Sequence, residues 1–289
     1  MQKNSKTIFT WGLSLIGIFI VLFILGTFLD EKISQTLYKG ETILNIFFDI
    51  IGKMPAFILA GLCCILLIFS AYNKQNKLDK YLMLVVWTIG SIVCFSLAFL
   101  DLYEWIIEGK KAYAFAILTA IVLTSIFIFV FSKSRIRDYE YLKKWAIYTV
   151  MTIAIVFVFT YVLKMVFNRA RYEDVVNGNA VFTAWYQKGV EGESFPSGHT
   201  SLAACLIVLV PLTNFVKKLN QNANLMNIGV FLYVVIIMLS RIVMGKHYLT
   251  DTAMSALIAF MVAYILQFAF FGKDISNISI KEKGLFDLL

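Results

Sequence analysis

Histidine is nearly absent from this chain: two residues, His199 and His247, among 289. Proline is almost as scarce, at three, and only 15% of the residues are charged. Hydrophobic residues make up 60%, against about 45–50% in an ordinary soluble domain. That balance excludes a set of soluble domains and describes one helical membrane domain crossing the bilayer many times. The formal charge of +8 would suggest a nucleic-acid partner in a soluble protein. Here it reads as the lysines and arginines that fix topology, with no nucleic acid involved. Cysteine is also sparse. Cys63, Cys64, Cys94 and Cys205 all fall in apolar runs, where they act as small buried hydrophobes rather than a disulfide framework. The first apolar run, 8–29, is too long for a signal-peptide core and no small-residue cleavage site follows it, so it is expected to remain as a span.

A bilayer-crossing helix needs roughly 20 mostly apolar residues. Eight runs qualify: 8–29, 54–72, 81–100, 112–132, 145–167, 200–216, 225–243 and 252–271. The shortest, 200–216, carries Pro211. Between the first two lies ISQTLYKGETILNIFFDIIGK, of mixed polarity, expected to lie on the membrane surface. With the N-terminus placed in the cytoplasm, every inside segment is basic, and these segments hold 15 of the 26 basic residues. The expectation is an all-α, polytopic transmembrane helix bundle of about eight spans with both termini cytoplasmic. Both histidines then fall on outward-facing segments, 168–199 and 244–250.

Three polar clusters stand out. KMVFNRAR sets Lys164 and Arg171 seven residues apart, about two helical turns. PSGH, Pro196 to His199, opens an apolar run. SRIVMGKHYLTD gives Arg241, then His247, then Asp251 four residues later, within reach one helical turn on. Each cluster has an ordinary reading: an interfacial anchor, a turn with a helix cap, a surface pair. Together they occupy span ends on one side of the membrane. Lys164, Arg171 and Arg241 supply positive charge, with arginine forks suited to phosphate oxygens. Ser197 and Gly198 stand at a helix start, where free N–H groups and the dipole favour an anion. A histidine backed by a carboxylate is a candidate nucleophile, and a second histidine can protonate a leaving oxygen.

At these residues the chain resembles the type 2 phosphatidic acid phosphatases, integral-membrane lipid phosphatases. Their pattern is Lys, six residues, Arg-Pro; then Pro-Ser-Gly-His; then Ser-Arg, five residues, His, three residues, Asp. The spacing matches throughout, from Lys164 to Asp251. One position departs, since Tyr172 stands where the pattern has proline. The resemblance implies a six-helix-type catalytic core, with His247 as the nucleophile of a phosphohistidine intermediate, Asp251 as its partner and His199 as the general acid. It further implies a phosphate cradle of Lys164, Arg171, Ser197, Gly198 and Arg241, and no metal or other cofactor. The sequence also lacks a clustered His/Asp/Glu metal motif. Arg169 close by is either an auxiliary contact or an interfacial anchor. Lys246 either favours a neutral His247 or faces solvent.

The division expected is 1–110, spans of unmatched role; 111–272, the catalytic core; and 273–289, a cytoplasmic tail. The expected localisation is the plasma (inner) membrane with the site extracytoplasmic. The expected substrate is a lipid phosphate of the undecaprenyl diphosphate, phosphatidylglycerol phosphate, phosphatidic acid or lipid A phosphate class. VFTAWYQKG, with Trp185 and Tyr186, would form a lip at headgroup depth or a simple anchor. The rival readings are a phosphatase of soluble esters such as sugar phosphates, and a non-catalytic lipid-binding protein or transporter. Charge gathered at one membrane edge, with span middles nearly free of it, argues against transport.

Overall fold

A computed structural model describes residues 2–72, 74–107, 109–133, 139–190, 192–215 and 223–271. Helix follows helix in this order: α1 (Gln2–Leu37), α2 (Ile43–Tyr72), α3 (Lys77–Ile106), α4 (Lys110–Lys133), α5 (Tyr139–Phe167) and α6 (Tyr172–Val176). Then come α7 (Gly198–Ala204), a 3₁₀ turn (Cys205–Leu209), α8 (Leu212–Phe215), α9 (Ala223–Val243) and α10 (Leu249–Phe271). No strand occurs among the described residues, as an apolar medium requires: only helices or closed barrels satisfy their own backbone there.

Seven helices among the described residues are long and apolar enough to cross a bilayer. The eighth expected run, 200–216, is instead built of short pieces, α7, the 3₁₀ turn and α8. Pro211 cannot donate a backbone hydrogen bond and interrupts the helix. Side chains take up carbonyls along the interrupted stretch: Trp145 Nε1 donates to the Val208 carbonyl and the Tyr141 hydroxyl to that of Pro211, both at 2.7 Å. The segment expected to lie on the membrane surface does not form a separate element. Its residues close α1, turn at Gly40, and open α2, whose helix begins at Ile43, eleven residues ahead of the apolar run. Arg135, Arg137, Lys217, Lys218 and the tail 273–289, on which the positive-inside pattern partly rests, lie outside the described residues.

Two compact units divide the chain. One takes, among the described residues, those within 2–53, 154–207 and 224–271. In it α10 packs along α1 and against α7. Small buried residues on α10, Ala253, Ala256, Ala259 and Ala263, allow close helix approach, the usual solution where lipid removes the hydrophobic drive. Phe260 stacks obliquely on Phe19, centroids 5.4 Å apart.

The other unit takes, among the described residues, those within 54–153 and 208–223. In it α3 packs on α4 around a core of Ile65, Ile68, Phe95 and Ala120. A buried hydroxyl pair, Ser91 and Thr124 at 3.1 Å, satisfies two polar groups that apolar surroundings would penalise. The outward residues of α3 and α4, Val85, Val86, Ile89, Leu118 and Ile126 among them, are exposed and apolar, as lipid-facing surfaces are. All four cysteines are free.

Candidate active site

Local backbone chemistry aims the polar clusters, all within the first unit. Helix α5 ends at Phe167 because Asn168 turns left-handed, at φ 45°, a role that asparagine tolerates better than most residues. Arg171 then adopts an extended conformation, φ −78° and ψ 154°, as N-cap of α6. Tyr172, which replaces the pattern's proline, therefore occupies the first helical position. Proline is favoured there because its fixed φ suits a helix start, so the backbone keeps its course without it. The tyrosine ring is buried and packs edge-on against Tyr38 and Tyr248, centroids 5.4 and 6.0 Å apart.

Helix α9 ends in a Schellman turn. Gly245, at φ +75°, donates to the Ile242 carbonyl at 3.0 Å, and Lys246 to that of Arg241 at 3.1 Å. This reversal sets His247 just beyond the helix end that carries Arg241. Asp251 lies in the first turn of α10 and reaches back to the Tyr248 amide, Oδ2 to N 2.8 Å, the carboxylate half of a capping box. Gly192 passes so close to the Arg169 carbonyl that a β-carbon there would collide with it, and beyond it Ser194 N–H binds that same carbonyl at 2.9 Å.

These turns bring Lys164, Arg171, Gly198, His199, Arg241 and His247 to the wall of one cavity of about 250 Å³. Lys164 Nζ also donates to the Glu193 carbonyl. His247 is 3% exposed and Asp251 fully buried. The expected His247–Asp251 pair is looser than the spacing suggested. Nδ1 of His247 stands 3.8 Å from Asp251 Oδ2 but 2.6 Å from the Ser194 carbonyl. A carbonyl can only accept, so Nδ1 carries the proton and Nε2 keeps its lone pair. Burial pushes His247 down to about 3, and the Lys164 and Arg241 cations add to that, opposed by Asp251. The imidazole is therefore neutral at pH 7.

Asp251 is occupied elsewhere. Its Oδ2 accepts the Ser194 hydroxyl at 2.5 Å, and its Oδ1 binds Arg169 Nη1 at 2.6 Å. Arg169 is neither an auxiliary contact at the cavity wall nor an interfacial anchor, since it is fully buried. It bridges Asp251 to Asp30 of α1, Nη2 to Oδ2 2.9 Å, donates to the Thr183 carbonyl, and lies 4.0 Å above the Tyr248 ring. Only a planar, always-charged fork satisfies so many acceptors at once.

Ser197 is buried, and its hydroxyl caps α7 by accepting from Thr200; the cavity is lined by Gly198, not Ser197. Lys246 pairs with Glu173 at 2.7 Å and Glu41 at 3.2 Å. Trp185 donates to Thr27 and packs on Phe23, whereas Tyr186 stays exposed. Sequence reasoning passed over Lys53, which also lines the cavity, and Asp49, which pairs with His199 and Arg241. Both sit in the helical extension of α2 ahead of its apolar run, where only a charged residue every four positions on one face, Asp49 and Lys53, marked them. Among the described residues no group of three or more His, Cys, Asp or Glu side chains could hold a metal ion.

Residues 144–273 match the PAP2 superfamily. Phosphatidylglycerophosphatase B of Haemophilus influenzae (strain ATCC 51907 / DSM 11121 / KW20 / Rd) is 33% identical over 99 residues, which are 33% of this chain and 41% of that protein. The match thus spans about two fifths of the relative's length. No solved structure matches the chain.

Proposed function

From the membership of residues 144–273 in the PAP2 superfamily we propose that this chain is a metal-independent lipid phosphatase acting through a phosphohistidine. One observation carries the reading: two histidines and four cationic side chains from distant parts of the sequence share one cavity. The neutral Nε2 of His247 attacks phosphorus. The bond from phosphorus to the leaving oxygen breaks, and His199 gives that oxygen its proton. Water then attacks the phosphohistidine, His199 takes the water's proton, and inorganic phosphate leaves with His247 restored. Lys164, Arg171 and Arg241 hold the equatorial oxygens and offset the charge as it develops, with the Gly198 backbone alongside.

The lipid nature of the substrate has its own support. Phe157 and Tyr161 line the cavity and are also exposed on α5, so the cavity wall runs on into an outward apolar face. A cavity of about 250 Å³ is below the roughly 300–1,000 Å³ of sites that enclose a whole ligand; it suits a phosphate headgroup whose tail stays outside. The named relative makes phosphatidylglycerol phosphate the first substrate to try, ahead of phosphatidic acid and undecaprenyl diphosphate. The positive-inside pattern of the sequence supports an extracytoplasmic site.

The test is phosphate release by the purified protein from these lipids and from glucose 6-phosphate. The expected result is release from at least one lipid at 10-fold or more the rate on the sugar ester, abolished in His247→Ala. Equal rates on both classes overturn lipid specificity; activity retained in His247→Ala overturns the nucleophile.

A further inference from the structure

The two histidines share a cavity but need opposite protonation states, and the structure surrounds them differently. The carboxylate nearest His247 is already bound to Arg169 and stands 3.8 Å away. His199 has a closer one. Its Nε2 lies 2.8 Å from Asp49 Oδ1, and the same oxygen accepts from Arg241 Nη1. We propose that Asp49, from the start of α2, is the positioning carboxylate of His199, holding that ring in the protonated form that donates to the leaving group. The inference rests on the phosphatase reading given above.

The physical need is electrostatic. A cavity built to bind phosphate is cationic, and a cationic cavity disfavours a charged imidazole. The charged groups around His199 are Lys53 of α2, Lys164 of α5, Arg171 after α5, and Arg241 at the end of α9. Neutral His247 and the acid Glu193 complete the set. Four cations would drive the proton off His199 without a carboxylate in contact. Asp49 supplies it, and by accepting from Arg241 it also fixes the guanidinium beside the acid. Gly52, one turn on, leaves room for the ring: a β-carbon there would stand 3.2 Å from His199 Cδ2. Environments that push two titratable groups apart are how an acid and a neutral base coexist in one site.

The experiment compares wild type, Asp49→Asn and Asp49→Glu in phospholipid nanodiscs on two esters. Dioctanoyl phosphatidic acid releases an alkoxide that needs a proton; p-nitrophenyl phosphate releases a phenolate that does not. Asp49→Asn is expected to lose 30-fold or more in kcat on the alkyl ester and less than 5-fold on the aryl ester. The alkaline limb of its pH profile should move to lower pH by about a unit, and Asp49→Glu should recover part of both. Equal loss on the two esters with an unmoved alkaline limb overturns the proposal, as does no loss. Should Asp49→Asn fail to fold, Asp49→Glu decides alone: a shifted limb with the larger loss on the alkyl ester supports the role, and an unmoved limb sinks it. A wild type that releases phosphate from neither ester nor from any lipid of the panel above overturns the phosphatase reading together with this inference. An active wild type whose Asp49→Asn variant loses both esters equally overturns only the inference.

Discussion

At the scale of single residues, the site is governed by what each polar group is already bound to. Arg169 shows this most clearly. Replacing it by alanine leaves Asp30 and Asp251, both almost wholly buried, without their cation. Breaking a buried pair in this way costs about 3–5 kcal/mol. Arg169→Ala is expected to lower the thermal midpoint by several degrees and abolish phosphate release, while Arg169→Lys, which has no fork, falls between; scanning fluorimetry in detergent measures the first effect. His247 gives a prediction of opposite character. Its folded pKa lies near 3, below the roughly 6.5 of an unfolded histidine. The contribution runs in one direction: above pH 6.5 neither state binds the proton and nothing is lost. Between 6.5 and 3 the unfolded chain takes a proton that the folded protein refuses, so stability falls with pH by about 1 kcal/mol per unit. The fall in midpoint between pH 7 and 5.5 should be smaller in His247→Gln than in wild type. Identical slopes would show that residue 247 is not held neutral.

At the scale of elements, the turns decide more than the helices. The Schellman turn after α9 needs a left-handed residue, and Gly245 provides it at φ +75°. Alanine there is strained twice. Its backbone is forced into a region that L-residues avoid, and its β-carbon would stand 2.6 Å from the Tyr38 ring. Gly245→Ala is expected to cost more than about 1 kcal/mol and to reduce kcat at least 10-fold, because Arg241 and His247 flank the turn. A variant with unchanged kcat would mean that the two side chains find their places without it. Such turns were only half legible in the sequence. The motif residues and their spacing were plain, and so was Pro211 as a point of weakness in the run 200–216. The reach of α2 was not: Asn45, Asp49 and Lys53 break the apolar run ahead of Met54, yet the helix continues through them because helical hydrogen bonding does not require an apolar side chain at every position.

At the scale of the whole molecule, the motif-bearing part and the chemistry-bearing part are not the same length of chain. The patterns legible in sequence run from Lys164 to Asp251. The family match covers 144–273. The polar network around the site reaches back to Asp30, Asp49 and Lys53, in spans that carried no recognisable signal. A lone aspartate in a membrane helix has many partners open to it, and only folded geometry selects Arg169 or His199. Asp30 tests how far the site depends on this region. Its Oδ1 accepts the Thr250 amide at 2.9 Å, its Oδ2 binds Arg169, and Thr250 directly precedes Asp251. It never touches the cavity, so a catalytic effect of its removal must pass through Arg169 and the start of α10. Asp30→Ala should therefore lower kcat by 10-fold or more and leave KM for the lipid within about 2-fold, with a smaller loss of stability than Arg169→Ala, since Arg169 keeps Asp251. An equal rise in KM would show that Asp30 shapes the phosphate cradle instead. Unchanged kinetics would confine α1 to a scaffold, and the site would then close within the residues that the motifs mark.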